Sequence, residues 1–174
     1  RLADRARSLG ASEVLRLPPG AERHRVVAER TGATIHRALL GNTLLCGGYD
    51  IVFDCTADAR SVSECLKWLR ARGQLVMVGT GHGGRIDLTP LWFRELEFLG
   101  AYGRQVERLD GRRIGTYQLV HELMAAGKLP VAMLLTHRFP PGAYRRAFDV
   151  ALHKARHDAM KVAFDFREGR THGG

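Results

Sequence analysis

Residues 49–80, YDIVFDCTADARSVSECLKWLRARGQLVMVGT, form the stretch that most constrains how this chain can fold. Ile51 to Cys55 is a short, mostly apolar run of β-branched and aromatic residues, which is typical of a strand covered on both faces. Gln74 to Val78 is a second run of this kind. The apolar residues between the runs recur at helical spacing and form one stripe: Val62, Cys65, Leu66 and Leu69. A helix between two buried strands predicts a βαβ crossover with parallel strands.

The same stretch contains signals for both ends of its helix. Ser61 and Glu64 have the spacing of a capping box, in which a hydroxyl accepts from an amide one turn on and the glutamate reaches back. Gly73 is placed to stop the helix with a left-handed residue. We therefore expect the helix to begin near Ser61 and to stop at Gly73.

The overall composition excludes several classes of protein. The apolar share is 45% and the charged share 26%, which is typical of a globular domain with one ordinary core. No apolar run approaches the ~20 residues that span a bilayer, so no membrane partner is expected. The net charge is +9, but the basic residues are scattered over predicted helix faces without interleaved aromatics, so no nucleic-acid partner is expected. Three cysteines without CxxC spacing favour a reducing, cytoplasmic setting.

Strand and helix signals alternate along the rest of the chain. Further strands are predicted at residues 13–17, 97–102, 134–139 and 160–166. Helices are predicted at residues 2–9, 21–30, 91–95 with Thr89 as the cap, 113–126, and from 141 onward. The helix of residues 113–126 is expected to bury Tyr117, Val120, Leu123 and Met124. This alternation predicts an open α/β sheet, in which ligands bind outside the carboxyl ends of the strands.

Three segments, in this order along the chain, carry a family resemblance: GGYDIVFDCTADARSVSECLKWLRARGQLVMVGT, DLTPLWFRELEFLGAYG and LLTHRFPPGAYRRAFDVALHKARHDAMKVAFDF. Together they resemble the C-terminal half of the medium-chain dehydrogenase/reductases, in particular the zinc-containing alcohol dehydrogenase branch. The resemblance implies a partial, Rossmann-type doubly wound parallel sheet with a returning C-terminal piece of the catalytic domain. Residues 1–129 would be the later part of the nucleotide-binding Rossmann domain, and residues 130–174 the returning segment. The chain is thus expected to be a C-terminal fragment.

The resemblance also implies a set of cofactor contacts. The implied residues are Cys55, Thr56, Val78, Gly79, Thr80, Ala101, Tyr102, Gly103 and Lys161. All but the last lie at strand ends that would line the cofactor crevice, and Lys161 would offer its charge to the pyrophosphate. Structural roles are open alternatives for three of them: Cys55 as a small buried hydrophobic residue, Gly79 as a turn residue and Lys161 as a solvent-facing strand residue.

The function that the resemblance implies is hydride transfer between NAD or NADP and a small-molecule alcohol or carbonyl, with zinc as Lewis acid. The family's G-x-G-x-x-G turn and zinc-ligand positions have no match here, so no catalytic residue and no metal ligand is predicted in this chain. Zinc is expected in the missing catalytic domain of the parent protein, and the fragment itself is expected to be inactive. Two alternatives stay open: a zinc-free quinone or enoyl reductase of the same superfamily, and a non-catalytic binding or assembly module.

Two further expectations concern the edges of the predicted sheet. Members of the family commonly pair through the outermost strand, residues 97–102 here, so a homodimer or higher homo-oligomer is expected. In the Rossmann strand order, two strands absent from this chain would lie between residues 13–17 and residues 50–56. Residues 50–56 are therefore expected to recruit a new neighbour, and residues 1–48 are expected to depart most from the family.

Overall fold

The computed structural model describes residues 2–18, 22–37, 43–81 and 83–167 of the chain. The chain divides into two compact units, one of Arg16–Gly103 and one of Arg1–Leu15 with Arg104–Gly174. Each unit has a hydrophobic core of its own. The predicted division between residues 129 and 130 stays a prediction, because compactness alone does not show which residues belong to a nucleotide-binding domain.

The described chain contains both helices and strands. The helices are α1 (Leu2–Ser8), α2 (Arg23–Thr31), α3 (Ala59–Trp68), α4 (Thr89–Phe93), α5 (Thr116–Ala125), α6 (Tyr144–Leu152) and α7 (Lys154–His157). The strands are β1 (Thr34–Arg37), β2 (Thr43–Cys46), β3 (Tyr49–Asp54), β4 (Leu69–Met77), β5 (Glu97–Gly100), β6 (Val106–Leu109), β7 (Arg112–Gly115), β8 (Leu135–Phe139) and β9 (Lys161–Phe164). None of the described helices is long and apolar enough to cross a membrane.

A sheet of three parallel strands, in the order β3-β4-β5, forms the centre of the unit Arg16–Gly103. Its register places Val52 beside Leu75, and Leu75 beside Phe98. Helix α3 connects β3 to β4, and α4 lies in the connection from β4 to β5. This arrangement confirms the predicted α/β class with a parallel sheet.

Helix α3 covers one face of this sheet with the apolar stripe that the sequence indicates. The core under the helix consists of Val62, Cys65, Leu66, Leu69, Leu75 and Leu96. On β3, by contrast, Ile51 is 51% exposed and Phe53 is 64% exposed. The prediction that this strand is covered on both faces is therefore wrong for the part of the chain that is described. Successive side chains of a strand point to opposite faces, and the helix packs against one of them.

The second edge of β3 carries no paired strand among residues 2–18, 22–37, 43–81 and 83–167. The neighbour expected for residues 50–56 is thus not found within the described chain, and pairing with a second copy stays a prediction. Residues 13–17 form no strand, contrary to the prediction, because a strand requires a hydrogen-bonded partner and no described segment pairs with them. Leu15 and Leu17 are exposed there.

Residues 33–48, which the sequence leaves unassigned, contain the antiparallel pair β1–β2. Helix α2 packs on this pair through Val27 and Ala28, which share a small core with Leu45. The strands are only four residues long each, so a periodic pattern has too few residues to be recognised in the sequence.

Both predicted ends of α3 are wrong. The N-cap is Asp58, whose Oδ1 accepts a hydrogen bond from the Ser61 amide at 2.9 Å. The helix ends at Trp68, and the next residue already has extended backbone, so Gly73 lies inside β4. A short carboxylate at Asp58 can cap the helix three residues earlier than the hydroxyl of Ser61.

The second unit contains a hairpin and a helix in place of the predicted link and longer helix. Strands β6 and β7 pair in an antiparallel hairpin, so α5 begins at Thr116 rather than at residue 113. No described residue of α5 is buried: Tyr117 is 65% exposed and Met124 is 44% exposed. The expectation that its apolar stripe is buried is therefore wrong in this structure.

The strands predicted at residues 134–139 and 160–166 are present as β8 (Leu135–Phe139) and β9 (Lys161–Phe164), and the two pair in parallel. Helix α6 connects them, followed by the short α7. Their common core consists of Phe139, Ala147, Val150 and Ala159.

Replacing Leu66 with alanine is expected to lower the free energy of unfolding by about 2–5 kcal/mol, because the substitution empties space in the core under α3. Leu66 is fully buried, at 0% exposure. Leu152→Ala is the matched control, since Leu152 is also a helical leucine but is 78% exposed. Urea unfolding followed by circular dichroism measures both. Equal losses in the two variants would contradict this account of the core.

Candidate functional site

The carboxyl ends of β3, β4 and β5 lie at one edge of the parallel sheet, where ligands bind in open α/β folds. Three loops leave the sheet at this edge: residues 55–58, 78–81 and 101–103. The eight predicted contacts from Cys55 to Gly103 are therefore on loops that follow neighbouring strands of the same sheet.

A buried carboxylate at the end of β3 organises the first loop. Asp54 is 3% exposed, and its Oδ1 accepts four hydrogen bonds. The backbone amides of Thr56 and Ala57 donate to it at 3.0 and 3.1 Å. The hydroxyls of Thr56 and Ser61 donate to it at 2.8 and 2.9 Å. One oxygen thus fixes both the loop and the first turn of α3.

The ionisation of Asp54 follows from these contacts. Burial alone would raise its pKa, but the hydrogen bonds from Ala57, Thr56 and Ser61 favour the charged form more strongly. The pKa of Asp54 is therefore held below its ordinary value, and the carboxylate is ionised at neutral pH.

The backbone of Asp54 joins the first loop to the second. Its carbonyl oxygen accepts hydrogen bonds from the amides of Val78 at 2.9 Å and Gly79 at 3.1 Å. A side chain at Gly79 would place its Cβ 2.7 Å from the Cys55 carbonyl oxygen, so only glycine fits without a shift of the backbone. The third loop is attached in the same way, since the Ala101 amide donates to the Met77 carbonyl at 2.9 Å.

Most of the predicted contact residues present their side chains to solvent. Cys55 is exposed, so the alternative of a small buried hydrophobic residue is wrong. The other exposed members of the set in this unit are Thr56, Val78, Thr80, Ala101, Tyr102 and Gly103. Gly79 is partly buried, and its close approach to Cys55 supports the turn role that the sequence leaves open. Their roles as cofactor contacts stay a prediction.

Lys161 belongs to the other compact unit, where it begins β9 and is exposed. Its strand partner in the register is Leu135. Solvent exposure is compatible with the predicted contact to a pyrophosphate and equally with the plain solvent-facing role, so Lys161 stays a prediction too.

A pocket of about 330 Å³ opens beside the first loop. Its lining residues are Arg23, Thr56, Asp58, Arg60 and Ser61. The two arginines both contact Glu64: Arg23 through an ion pair, and Arg60 through Nε at 3.2 Å. Burial would raise the pKa of Glu64, but these arginines hold it below its usual value, so both cations are paired with a charged carboxylate.

Sequence reasoning misses Asp54 and assigns Ser61 only to helix capping. An acidic residue inside an apolar strand run, followed by a hydroxyl two residues later and another seven residues later, is the signal that would find them. A buried carboxylate needs several donors, and serine and threonine supply donors without bulk.

The described residues do not fit a zinc centre. No group of three or more histidine, cysteine, aspartate or glutamate side chains that could hold a metal ion exists among them.

Comparison with known proteins shows the family. The zinc-binding dehydrogenase family matches residues 2–124. Sorbitol dehydrogenase of Arabidopsis thaliana is 30% identical over 135 residues, which are 77% of this chain and 32% of that protein. The crystal structure of L-idonate 5-dehydrogenase from Escherichia coli has a TM-score of 0.56 at 26% identity, covering 68% of this chain and 32% of that one. The zinc dependent alcohol dehydrogenase 2 from Streptococcus pneumonia has a TM-score of 0.69 at 18% identity, covering 94% and 41%.

The chain therefore belongs to the zinc-binding dehydrogenase family, which confirms the resemblance to the zinc-containing branch of the medium-chain dehydrogenase/reductases. It spans about a third of the length of the sorbitol and L-idonate dehydrogenases that it matches.

Replacing Gly79 with alanine is expected to destabilise the fold by about 1–3 kcal/mol, because the new Cβ would overlap the Cys55 carbonyl oxygen at 2.7 Å. Gly100→Ala is the matched control, since a Cβ there meets nothing within 4 Å. Thermal unfolding of the two variants measures the difference. A Gly79→Ala protein as stable as Gly100→Ala would show that the loops are not in close contact.

Thiol labelling at about pH 8 is expected to modify Cys46 and Cys55 but not Cys65 in the folded chain. Cys65 is 4% exposed, and burial, reinforced by the charge of Asp54, raises the pKa of its thiol to about 11. Cys46 and Cys55 are exposed. Peptide mass spectrometry after iodoacetamide treatment measures each site, and unfolding in guanidinium is the control that exposes all three. Equal labelling of Cys55 and Cys65 in the folded chain would contradict the burial of Cys65.

Proposed function

We propose that this chain is the later part of the cofactor-binding domain of an NAD(P)-dependent oxidoreductase that transfers a hydride between the nicotinamide and an alcohol or carbonyl. The observation that carries the proposal is membership of the zinc-binding dehydrogenase family across residues 2–124. The names of the similar sorbitol and L-idonate dehydrogenases favour a polyhydroxylated alcohol as the substrate class.

The chain's own residues fit part of a dinucleotide site. Cys55 and Thr56 on the first loop, with Val78 to Thr80 on the second, would form adjacent parts of the crevice, because the backbone of Asp54 holds the two loops together. Ala101 to Gly103 would form the next wall. The nicotinamide supplies the hydride chemistry when it is bound, and these residues would orient it.

We assign the zinc ligands to the part of the protein that would correspond to the remaining length of these relatives, where zinc would act as Lewis acid on the substrate oxygen. A zinc-free quinone or enoyl reductase of the same superfamily is the second candidate within this class. For the isolated chain, a non-catalytic binding module is the candidate of a different class.

We further propose that the protein forms a homodimer or higher homo-oligomer through the outer edge of β5. That strand lies at the end of the three-stranded sheet, and Leu99 on it is 46% exposed. Pairing of two such edges would extend two sheets into one.

The proposed cofactor role predicts that Lys161→Gln weakens NADH binding by about 3- to 10-fold, because the substitution removes a charge that would pair with the pyrophosphate. Lys154→Gln is the matched control, since Lys154 is an exposed lysine on α7 that the proposal leaves out. Fluorescence titration of the purified chain with NADH measures both affinities.

The NADH titration, together with an assay for turnover of sorbitol and NAD by the purified chain, separates the candidate functions. Binding of NADH without turnover of sorbitol and NAD supports a cofactor domain that is inactive alone. Turnover by the purified chain would overturn its assignment as inactive, and an equal affinity in the two lysine variants would overturn the role of Lys161. Absence of NADH binding would favour the non-catalytic binding module.

A further inference from the structure

Asp54 determines the hydrogen-bonding direction of two hydroxyl groups at the candidate site. The Thr56 hydroxyl donates to its Oδ1 at 2.8 Å, and the Ser61 hydroxyl donates to the same oxygen at 2.9 Å. A hydroxyl group has one proton to donate and two lone pairs to accept with. Once both protons point to Asp54, Thr56 and Ser61 can offer any further partner only an acceptor.

Thr56 and Ser61 line the pocket of about 330 Å³, together with Asp58. Asp58 is also an acceptor, and its Oδ1 already receives the Ser61 amide at 2.9 Å. The acceptors are therefore concentrated on the wall that is formed by the first loop and the start of α3.

The charges around the pocket do not favour an anion. Arg23 and Arg60 contribute two positive charges to the lining of the pocket, but both are paired with Glu64. Asp58 offsets the remaining positive charge, and the ionised Asp54 lies behind the hydroxyls. A phosphate needs hydrogen-bond donors or unpaired cations, but this pocket offers it acceptors and arginines already paired with Glu64. A neutral group that donates hydrogen bonds can instead pair with the acceptors.

We propose that Asp54 is a positioning residue that fixes Thr56 and Ser61 as acceptors, so that their pocket binds neutral donor groups, the ribose hydroxyls or the adenine amine of a dinucleotide. This inference rests on the proposed function for the identity of the ligand. It concerns residues that the family resemblance does not assign, since the resemblance names Thr56 as a contact but gives no role to Asp54, Asp58 or Ser61.

The first arm of the test measures whether the pocket oxygens accept from the ligand. Thr56→Val keeps the shape of the side chain but removes its hydroxyl, and Ser61→Ala removes the second acceptor. Each is expected to weaken NADH binding by about 5- to 30-fold, whereas Thr56→Ser retains wild-type affinity within about 2-fold. Asp50→Asn is the matched control, because Asp50 lies at the opposite end of β3 and pairs with Arg70.

The second arm measures whether Asp54 acts through Thr56. Asp54→Asn retains an acceptor oxygen and is expected to bind NADH more tightly than Asp54→Ala. In a double-mutant cycle, Asp54→Ala and Thr56→Val are expected to be strongly non-additive for NADH affinity. A merely structural role of Asp54 would give additive losses. Thr56→Val and Ser61→Ala leave Asp54 in place, so they decide the acceptor question even if Asp54→Ala does not fold.

The third arm has two measurements. A dinucleotide analogue distinguishes the ribose hydroxyls from the adenine amine, and amide exchange tests the role of Asp54 without a bound ligand. Reduced nicotinamide hypoxanthine dinucleotide lacks the adenine amine, so an unchanged effect of Thr56→Val with this probe assigns the ribose hydroxyls, and a lost effect assigns the amine. Amide hydrogen exchange reports on the loop alone: Thr56 and Ala57 should be protected in the wild type and in Asp54→Asn.

Equal NADH affinity of wild type, Thr56→Val and Ser61→Ala would overturn the inference while leaving the proposed function intact. Absence of NADH binding by the wild-type chain would overturn the proposed function and the assigned ligand together. The positioning role of Asp54 is then decided by amide exchange, and unprotected Thr56 and Ala57 amides in the wild type would overturn it.

Discussion

The end of β3 depends on a carboxylate that is removed from water and surrounded by donors. Burying a charge is unfavourable unless hydrogen bonds replace the lost water, and Asp54 obtains four of them on one oxygen. Its backbone carbonyl meanwhile receives two amides from the loop after β4. The first loop and the first turn of α3 are thereby held by the ionised side chain of Asp54, and the loop after β4 is held by its backbone carbonyl.

The central part of the fold could be predicted because its signals are local and redundant. The apolar runs of β3 and β4 and the stripe of α3 agree with one another, and the parallel pairing then follows from the length of the connection. The strands β8 and β9 were also recognisable in the sequence, whereas their parallel pairing was not predicted.

Several of the predictions that failed depend on partners distant in sequence. Residues 13–17 have strand-like composition, but a strand exists only when another strand pairs with it. Tyr117 and Met124 have the spacing of a buried stripe, but burial requires a surface to cover them. At the candidate site, the loops were predictable from strand ends, whereas the role of Asp54 was missed, although its hydroxyl donors Thr56 and Ser61 follow it within seven residues.

One edge of β3, with which no described strand pairs, has a consequence for the solubility of the chain. Ile51 and Phe53 on β3 are largely exposed, and strand edges of this kind promote aggregation in concentrated solution. Asp50 stands at the start of the strand and is exposed, and its hydrogen bond from Arg70 holds its pKa below the ordinary value. Arg70 balances this charge, so repulsion between copies of the chain comes from its net charge of +9, and salt screens that repulsion. Colloidal stability of the chain is therefore favoured by low ionic strength.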